Sequence, residues 1–353
     1  MMLNLTRKQK IIILCSVLVL YMILCVGGIY KIAISRIAVE KIAYIIVILM
    51  LTSAGLMWCC HIIYKRVFFR TSVELCNCGD IKSDYDYRLE RAHEIQAAPN
   101  EKVTITASDG TLLAAHLYAG AECAPVIIFF YGYRARAAMG ASAIYDMANE
   151  NGWNLVLVTL RAHDESGGAH FTMGVKERYD CSDWIGWATK RFGIDAPLFL
   201  MGISMGGAIT MMAGDLDLPH NLRGIVEDSG FASPKALFDV NLKSNLPKNF
   251  PAAIIKLLLE LSAILYGHFS LYSVDAYRSL ANTKIPVLFI HSDADTVVPV
   301  DTAYSLYKAC KSEKELVIIH GAGHAQNYIA EPRVYADAII HFVNKYSAVK
   351  SNR

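Results

Sequence analysis

The stretch LFLMGISMGGAITMMA, residues 198–213, decides the fold of this chain. Its first six residues predict a short buried strand, and the apolar residues that follow Ser204 predict a helix. The two meet at Gly202-Ile203-Ser204-Met205-Gly206, a Gly-x-Ser-x-Gly sequence in the strand–turn–helix setting that this motif requires. A turn this tight leaves no room for side chains at positions 202 and 206. We therefore predict that Ser204 stands clear of a sheet at the N-terminus of a helix, where the Met205 N–H points to a developing oxyanion.

Short apolar runs recur along the chain from residue 101 onward. A β-hairpin is predicted at 103–118, with Asp109-Gly110 as its turn. Further strands, separated by segments of helical length, are predicted at 125–131, 154–160, 197–203, 223–229, 286–291 and 315–320. Strands without polar alternation are typical of a parallel sheet that helices cover on both faces. We expect an open α/β sheet whose functional residues lie at the carboxyl ends of its strands.

A nucleophilic serine requires a base, and the base requires a group that orients it. Both are predicted in loops just past later strands, in the chain order serine, acid, histidine. HSDADTVVP, residues 291–299, contains Asp295, and GAGHA, residues 321–325, contains His324. We predict that Ser204, His324 and Asp295 form a catalytic triad.

Other residues are alternatives for these roles. Asp293 is a second candidate for the acid, and His320 is a second candidate for the base, although it ends its strand. His291 and Asp228 also lie at strand ends. For His291 we expect a structural role, and for Asp228 we expect bonding to loop backbone rather than service as a substitute acid.

Four segments together resemble the α/β-hydrolase family, in its serine aminopeptidase-like and monoglyceride-lipase-like branch, over about residues 101–346. They are GISMGG, GAGHA, HSDADTVVP, which is similar to the family's HGxxDxxVP, and LRAHDESGGAHFTMGVKERYD (160–180), which is similar to its RGHGxSxG segment. The resemblance implies the α/β-hydrolase fold with a short helical lid and assigns the acid to Asp295. Glu177 and Asp180 are expected to cap and support a helix.

The chain departs from the family pattern in two loops. The family has His-Gly after its third strand, whereas this chain has Tyr131-Gly132-Tyr133-Arg134. Gly132 keeps the tight turn, and the resemblance makes the Tyr133 N–H the second oxyanion donor. Ala162 and Asp164 replace the glycines of the second loop.

A lid is expected at about residues 231–283. It contains FPAAIIKLLLELSAILYG, residues 250–267, which is either a helix packed on the sheet or a lid over the site. An apolar lid would favour acyl substrates.

The N-terminal region predicts a membrane anchor. The chain is 54% hydrophobic with a mean hydropathy of +0.32, and the excess is concentrated in the first 64 residues. Residues 11–30 and 42–64 carry no full charge and are each long enough to cross a bilayer. We predict two transmembrane helices in a hairpin. One spanning helix plus a signal sequence is the alternative, although no good cleavage site follows the first run.

Basic residues predict the orientation of the hairpin. Three precede the first run and three follow the second, against three between the runs (Arg7, Lys8, Lys10; Lys65, Arg66, Arg70; Lys31, Arg36, Lys41). This bias predicts that both ends and the large domain are cytoplasmic, at the cell membrane. A single span would leave the domain outside.

The predicted organisation is an anchor at 1–70, a linker at 71–100, the α/β-hydrolase domain at 101–347 and a tail at 348–353. Nine scattered cysteines are an unsuitable disulfide framework, so free thiols are expected. A net charge of +2 suggests no nucleic-acid partner. No metal or organic cofactor is implied, because no His-Glu-x-x-His sequence or cysteine quartet occurs.

The expected activity is cleavage of carboxylic esters or thioesters, lipid-derived ones among them, by a membrane-anchored serine hydrolase. A serine peptidase or aminopeptidase-like amidase is an alternative, and so is a catalytically silent membrane scaffold. The expected partners are an acyl or peptide small molecule and the lipid bilayer.

Overall fold

The computed structural model describes residues 21–23, 38–70, 82–245, 247 and 251–348. The chain divides into two units. The smaller unit comprises residues 1–67 and 242–266, and the larger unit comprises residues 68–241 and 267–353. Most of the predicted span 11–30, the stretch 71–81 of the predicted linker and the tail beyond residue 348 lie outside the described residues.

In the smaller unit, helix α1 (Ala38–Val67) contains a long apolar stretch. Among the described residues it is the one helix long and apolar enough to cross a membrane, with a mean hydropathy of 2.2 over Lys41–Val67. Residues 21–23 of the first predicted span are helical. The ring of Tyr21 lies against Gly55 of α1, 3.1 Å from the position that a Cβ would take there. Helix α8 (Ala252–Ser262) packs along α1 in the same unit, and the π-helical segment Ala263–Gly267 follows it.

The larger unit is built on a sheet that has eight strands among the described residues. They are β1 (Glu101–Thr106), β2 (Leu112–Tyr118), β3 (Val126–Phe130), β4 (Asn154–Thr159), β5 (Leu198–Ile203), β6 (Leu222–Asp228), β7 (Val287–Ser292) and β8 (Lys314–Ile319). The order across the sheet is β1-β2-β4-β3-β5-β6-β7-β8. The pairings of β2 with β1 and with β4 are antiparallel, and those from β4 to β8 are parallel. The predicted, mostly parallel sheet is therefore confirmed.

Helices connect and cover these strands. Those described are α2 (Lys82–Ala97), α3 (Ala137–Gly140), α4 (Ser142–Asn151), α5 (Glu177–Phe192), α6 (Met205–Ala213), α7 (Pro234–Asn245), α9 (Ala276–Asn282), α10 (Val300–Ala309), α11 (Asn327–Ala330) and α12 (Pro332–Ser347). Every residue of β3 and β7 is buried, as their unbroken apolar sequences predict. The predicted lid region contains α7, α8 and α9. Its central part belongs to the smaller unit, where it packs along α1, a third arrangement beside the two weighed for residues 250–267.

A buried ion pair joins the loop after β4 to helix α5. Arg161 Nε donates to Asp180 Oδ2 at 2.8 Å, Nη2 also binds Asp180, and Nη1 donates to Asp109 Oδ2 at 2.8 Å. Glu177 accepts hydrogen bonds from the N–H groups of Thr172 and Gly174, so it holds the loop that enters α5. The Arg161 and Asp180 side chains are 5% and 4% exposed, whereas Asp109 is 41% exposed.

This difference in burial leads to a stability prediction. Asp180→Ala leaves a buried guanidinium without its main partner and should lower the free energy of unfolding by about 3–5 kcal/mol. Asp109→Ala, the matched control, removes a solvent-screened partner of the same arginine and should cost about 0–1 kcal/mol. Guanidinium unfolding of the full chain in detergent, followed by fluorescence of Trp184 and Trp187 on the same helix, measures both. Equal losses of unfolding free energy in the two variants would contradict the assignment of Asp180 as the main partner of Arg161.

Candidate active site

Ser204 lies at the junction of β5 and α6 in a strained backbone conformation. Its φ is 56° and its ψ is −114°, a region that costs a non-glycine residue about 1–3 kcal/mol. Both flanking glycines are required by contact. A Cβ on Gly202 would lie 2.2 Å from the Gly206 carbonyl carbon, and a Cβ on Gly206 would lie 1.9 Å from the Phe130 oxygen. The turn is therefore locked between β3 and β5, with Ser204 at the carboxyl edge of the sheet.

A chain of short hydrogen bonds runs from Ser204 to a buried carboxylate. Ser204 Oγ lies 2.7 Å from His324 Nε2, and His324 Nδ1 lies 2.7 Å from Asp295 Oδ2. The side chain of Asp295 has no exposed surface, and that of His324 is 7% exposed. With a proton on Nδ1 shared with Asp295, Nε2 can accept the hydroxyl proton of Ser204. The three residues predicted as a triad are thus brought together.

The loop after β7 holds Asp295 firmly. Asp295 Oδ1 accepts hydrogen bonds from the N–H groups of Val297 at 2.8 Å and Val298 at 2.9 Å. The buried ring of His291 lies beside it, with Nε2 2.8 Å from Val298 O and 3.5 Å from Asp295 Oδ2. His291 therefore supports the acid-bearing loop, as expected of a structural histidine at a strand end.

The alternative acid and base pair with each other at the surface. His320 Nδ1 lies 2.6 Å from Asp293 Oδ2, and the Gly321 N–H donates to Asp293 Oδ1 at 2.8 Å. Both side chains are exposed. The hydrogen bond from Gly321 and the bond to His320 lower the pKa of Asp293. The hydrogen-bonded pair of Asp293 and His320 is thus separate from the chain that contains Ser204.

Asp228 connects Ser204 to the chain that follows His324. Its backbone oxygen accepts the Ser204 N–H at 2.7 Å. Its carboxylate accepts hydrogen bonds from Asn327 Nδ2 at 2.6 Å, from Ser229 Oγ at 2.8 Å and from the Tyr335 hydroxyl at 2.9 Å. Burial raises the pKa of Asp228 despite these donors. Asp228 therefore bonds side chains rather than the loop backbone expected from sequence.

Two further contacts hold the same loop. Ser292 Oγ donates to Ala322 O, and Arg88 Nη2 of α2 donates to Ala325 O at 2.7 Å. Neither these residues nor Asn327 and Tyr335 stand out in the sequence. The one available signal is position, because Asn327 follows His324 closely and Ser292 follows His291 directly.

The loop after β3 passes next to the nucleophile. A Cβ on Gly132 would lie 3.4 Å from Ser204 Cβ and 3.8 Å from Ser204 Oγ. Tyr131, which replaces the family histidine, is fully buried, and its hydroxyl oxygen accepts the Leu160 N–H at 3.2 Å. Burial raises the pKa of Tyr131, so it stays neutral. Its ring thus fixes the base of the loop, and the backbone from Gly132 borders Ser204.

The N-terminus of α6 begins at Met205, directly after the nucleophile. The first N–H groups of a helix have no acceptor within the helix and carry the positive end of its dipole. They suit an anion that forms on an atom bonded to Ser204. In the part of the chain that the structure describes, no group of three or more His, Cys, Asp or Glu side chains could hold a metal ion.

Residues 164–349, more than half of the chain, match the model of the prolyl oligopeptidase family. The chain belongs to the prolyl oligopeptidase family. This family member is 24% identical over 195 residues to the uncharacterized protein YqkD of Bacillus subtilis, covering 55% of its own length and 63% of YqkD. It is 26% identical over 273 residues to the uncharacterized protein YfhR of Salmonella typhi, covering 72% of itself and 84% of YfhR.

Solved structures share the fold of this prolyl oligopeptidase family member. The esterase Pf2001 of Pyrococcus furiosus matches with a TM-score of 0.59 and 19% identity, over 72% of this chain and 94% of the esterase. Est1E of Butyrivibrio proteoclasticus, solved with ferulic acid bound, matches with a TM-score of 0.54 and 18% identity, over 71% of this chain and all of Est1E. The family and the α/β-hydrolase fold are those of hydrolases.

The Asp228 contacts generate a pH-dependent prediction. Asn327→Asp puts a second carboxyl group beside buried Asp228, and the pair will retain one proton in the folded state. The folded chain then binds more protons than the unfolded chain, so stability falls as pH rises above about 4, by about 1.4 kcal/mol per pH unit while that proton is retained.

The control is Asn327→Leu, which loses the same hydrogen bond without adding a charge. Urea unfolding of each full-length variant in detergent at pH 5 and pH 8 measures the difference. We expect the difference in free energy of unfolding between Asn327→Asp and Asn327→Leu to be larger at pH 8 than at pH 5. An unchanged difference would refute the buried contact between residue 327 and Asp228.

Proposed function

We propose that this chain is a membrane-anchored serine hydrolase that cleaves carboxylic esters or thioesters through an acyl-enzyme on Ser204. The single observation that carries the proposal is the hydrogen-bonded series from Ser204 through His324 to Asp295, with both distances at 2.7 Å. This series provides what a serine hydroxyl requires to act as a nucleophile near neutral pH.

In the proposed reaction His324 removes the hydroxyl proton as Ser204 attacks the acyl carbon. The tetrahedral oxyanion is bound by the N–H groups of Met205 and Tyr133, and the close approach of Gly132 to Ser204 supports this assignment. His324 then gives its proton to the leaving alkoxide or thiolate. Water, deprotonated by the same imidazole, attacks the acyl-enzyme and releases the acid. Asp295 keeps the imidazole oriented and stabilises its charged form throughout.

A second candidate is hydrolysis of peptide or aminoacyl amide bonds. The name of the prolyl oligopeptidase family favours it, whereas esterases are among the proteins of similar fold. The serine aminopeptidase-like and monoglyceride-lipase-like branch, which rests on the four sequence motifs, includes both chemistries. A silent scaffold is the least favoured function, because the residues of the series are aligned for proton transfer.

The membrane part of the proposal rests on α1. This helix is apolar over the length that a bilayer requires, and its apolar side chains are largely exposed. The contact of Tyr21 with Gly55 supports a hairpin with the first predicted span. Two spans, with the hydrolase domain in the cytoplasm, remain our proposal for the topology, together with the domain limits 101–347.

The nucleophile is tested with a fluorophosphonate probe and with substrates. Wild-type protein should be labelled, Ser204→Ala should not, and turnover should fall to the uncatalysed rate because no acyl-enzyme can form. Comparing p-nitrophenyl esters of several chain lengths with aminoacyl anilides distinguishes the two candidate activities. Labelling of both proteins would disprove the assignment of Ser204, and faster anilide turnover would favour the peptidase.

The acid is tested by a matched pair of substitutions in one loop. Asp295→Asn should lower kcat by about 10⁴, since the amide favours the wrong tautomer of His324. Asp293→Asn changes an exposed carboxylate two positions away and should leave kcat within a few-fold of wild type, as should His320→Gln. Steady-state kinetics on the best ester substrate measures kcat for each variant. A larger loss of kcat in Asp293→Asn than in Asp295→Asn would assign the role of the acid to Asp293 instead.

A further inference from the structure

Helix α8 and the π-helical segment after it have both buried and exposed apolar side chains. One stripe, at helical spacing, is buried and consists of Ile255, Leu258, Leu259 and Ser262. Another stripe is exposed: Ile254, Leu257, Ile264 and Leu265 are 46%, 58%, 45% and 46% exposed. An apolar stripe on a helix is normally covered by protein or lies in lipid. Here the covering on the exposed stripe has to come from outside the chain or from its undescribed residues.

The same segment packs along the half of α1 that leads into the hydrolase unit. The Tyr266 hydroxyl donates to Met57 O at 2.9 Å. The Tyr266 ring lies 5.1 Å from the ring of His61 and 5.7 Å from that of Tyr64. Lys65 and Arg66 follow in the last turn of α1. Aromatic side chains followed by basic ones are typical of the end of a membrane-spanning helix, at the interface between lipid and water. The contacts therefore bring the end of this segment, at Tyr266, to the interfacial end of α1.

Length and connectivity limit how deeply the segment can enter the bilayer. Helix α8 has 11 residues and is about 16 Å long, whereas the hydrocarbon core is about 30 Å thick. The chain on both sides, up to residue 241 and from residue 267, belongs to the hydrolase unit. The segment must therefore enter and leave at one face of the membrane. Lys256 and Glu260, one turn apart and partly exposed, suit an interfacial position where their charged groups reach water.

We propose that residues 252–266 are a second membrane-contacting element, whose exposed apolar stripe inserts among the acyl chains of the leaflet on the hydrolase side. The proposal rests on the anchoring of α1 in the proposed function. It commits to lipid because α8 packs against a helix that is itself apolar enough to span a bilayer. It replaces the expected lid by an interfacial helix.

A consequence concerns the attachment of the enzyme to its membrane. The chain passes between the two units at three points, after residues 67, 241 and 266. Two of them flank a segment between β6 and β7, and β6 ends at Asp228, whose backbone oxygen accepts the Ser204 N–H. If residues 252–266 contact lipid, the chain connects the hydrolase unit to membrane-contacting segments at all three of these points rather than at one.

Photocrosslinking to lipid tests the proposal. The full chain is reconstituted in phosphatidylcholine vesicles that contain a phosphatidylcholine with a diazirine in its acyl chain, and crosslinked peptides are mapped by mass spectrometry. We expect crosslinks within residues 41–64 and within residues 254–265. Val297, Tyr304 and Ile329, exposed apolar residues of the hydrolase unit, are internal controls and should not be labelled.

A matched pair of variants sharpens the test. Leu257→Asp with Ile264→Asp should abolish crosslinking in residues 254–265 and leave the crosslinks of α1, because a carboxylate is expelled from the acyl-chain region. Tyr304, in the hydrolase unit, has a similar exposed fraction. Tyr304→Asp should change neither the crosslinks in residues 254–265 nor those of α1. Fluorophosphonate labelling of Ser204 verifies that each variant is folded.

The outcomes separate this inference from the proposed function. Crosslinks at α1 with none in residues 252–266 would overturn the inference and leave the anchor standing. Absence of crosslinks at both sites would overturn the anchor and the inference together, while the probe reaction at Ser204 would still report the hydrolase.

Discussion

The close approach of backbone to backbone at Ser204 is the constraint on which the rest of the active site depends. Gly206 sits so near the Phe130 oxygen that β3, β5 and the start of α6 can meet in one way only. This contact keeps Ser204 at a positive φ, and the bond from its N–H to Asp228 O connects the strained residue to β6. The strained residue lies among three neighbouring parallel strands. The burial of these strands stabilises the sheet and offsets the free-energy cost of the conformation of Ser204.

Two buried aspartates at the ends of neighbouring strands suit different roles because their hydrogen-bond partners differ. Asp295 follows β7, accepts two backbone N–H groups and faces the imidazole of His324. Asp228 ends β6, is bonded by an amide and two hydroxyl groups, and burial raises its pKa. The first arrangement suits an acid that stabilises a positively charged imidazole. The second arrangement suits a structural link between the strand that leads to Ser204 and the loop that contains His324.

The connection between β6 and β7 contains a segment, residues 242–266, that belongs to the smaller unit. In an α/β sheet this connection has only to bring the chain back for the next parallel strand. Here it also contains Tyr266, which contacts Met57, His61 and Tyr64 of α1. An apolar helix of this kind could not remain exposed to water without cost, at roughly 25 cal/mol per Å². The proposed lipid contact on the exposed stripe would remove that cost.

The sequence by itself determined the fold class and predicted the sharp turn at Ser204 and the two loops of the candidate site, because these depend on local patterns. Unbroken apolar strands, the glycines around Ser204 and the loops with Asp295 and His324 are all properties of short stretches. Only the tertiary structure showed that Asp295 lies against His324 and Asp293 against His320, because the two carboxylates share one loop and differ in what lies opposite them. It also decided the partners of Asn327 and of α8, since contacts between distant parts of the chain leave no periodic signal in either part.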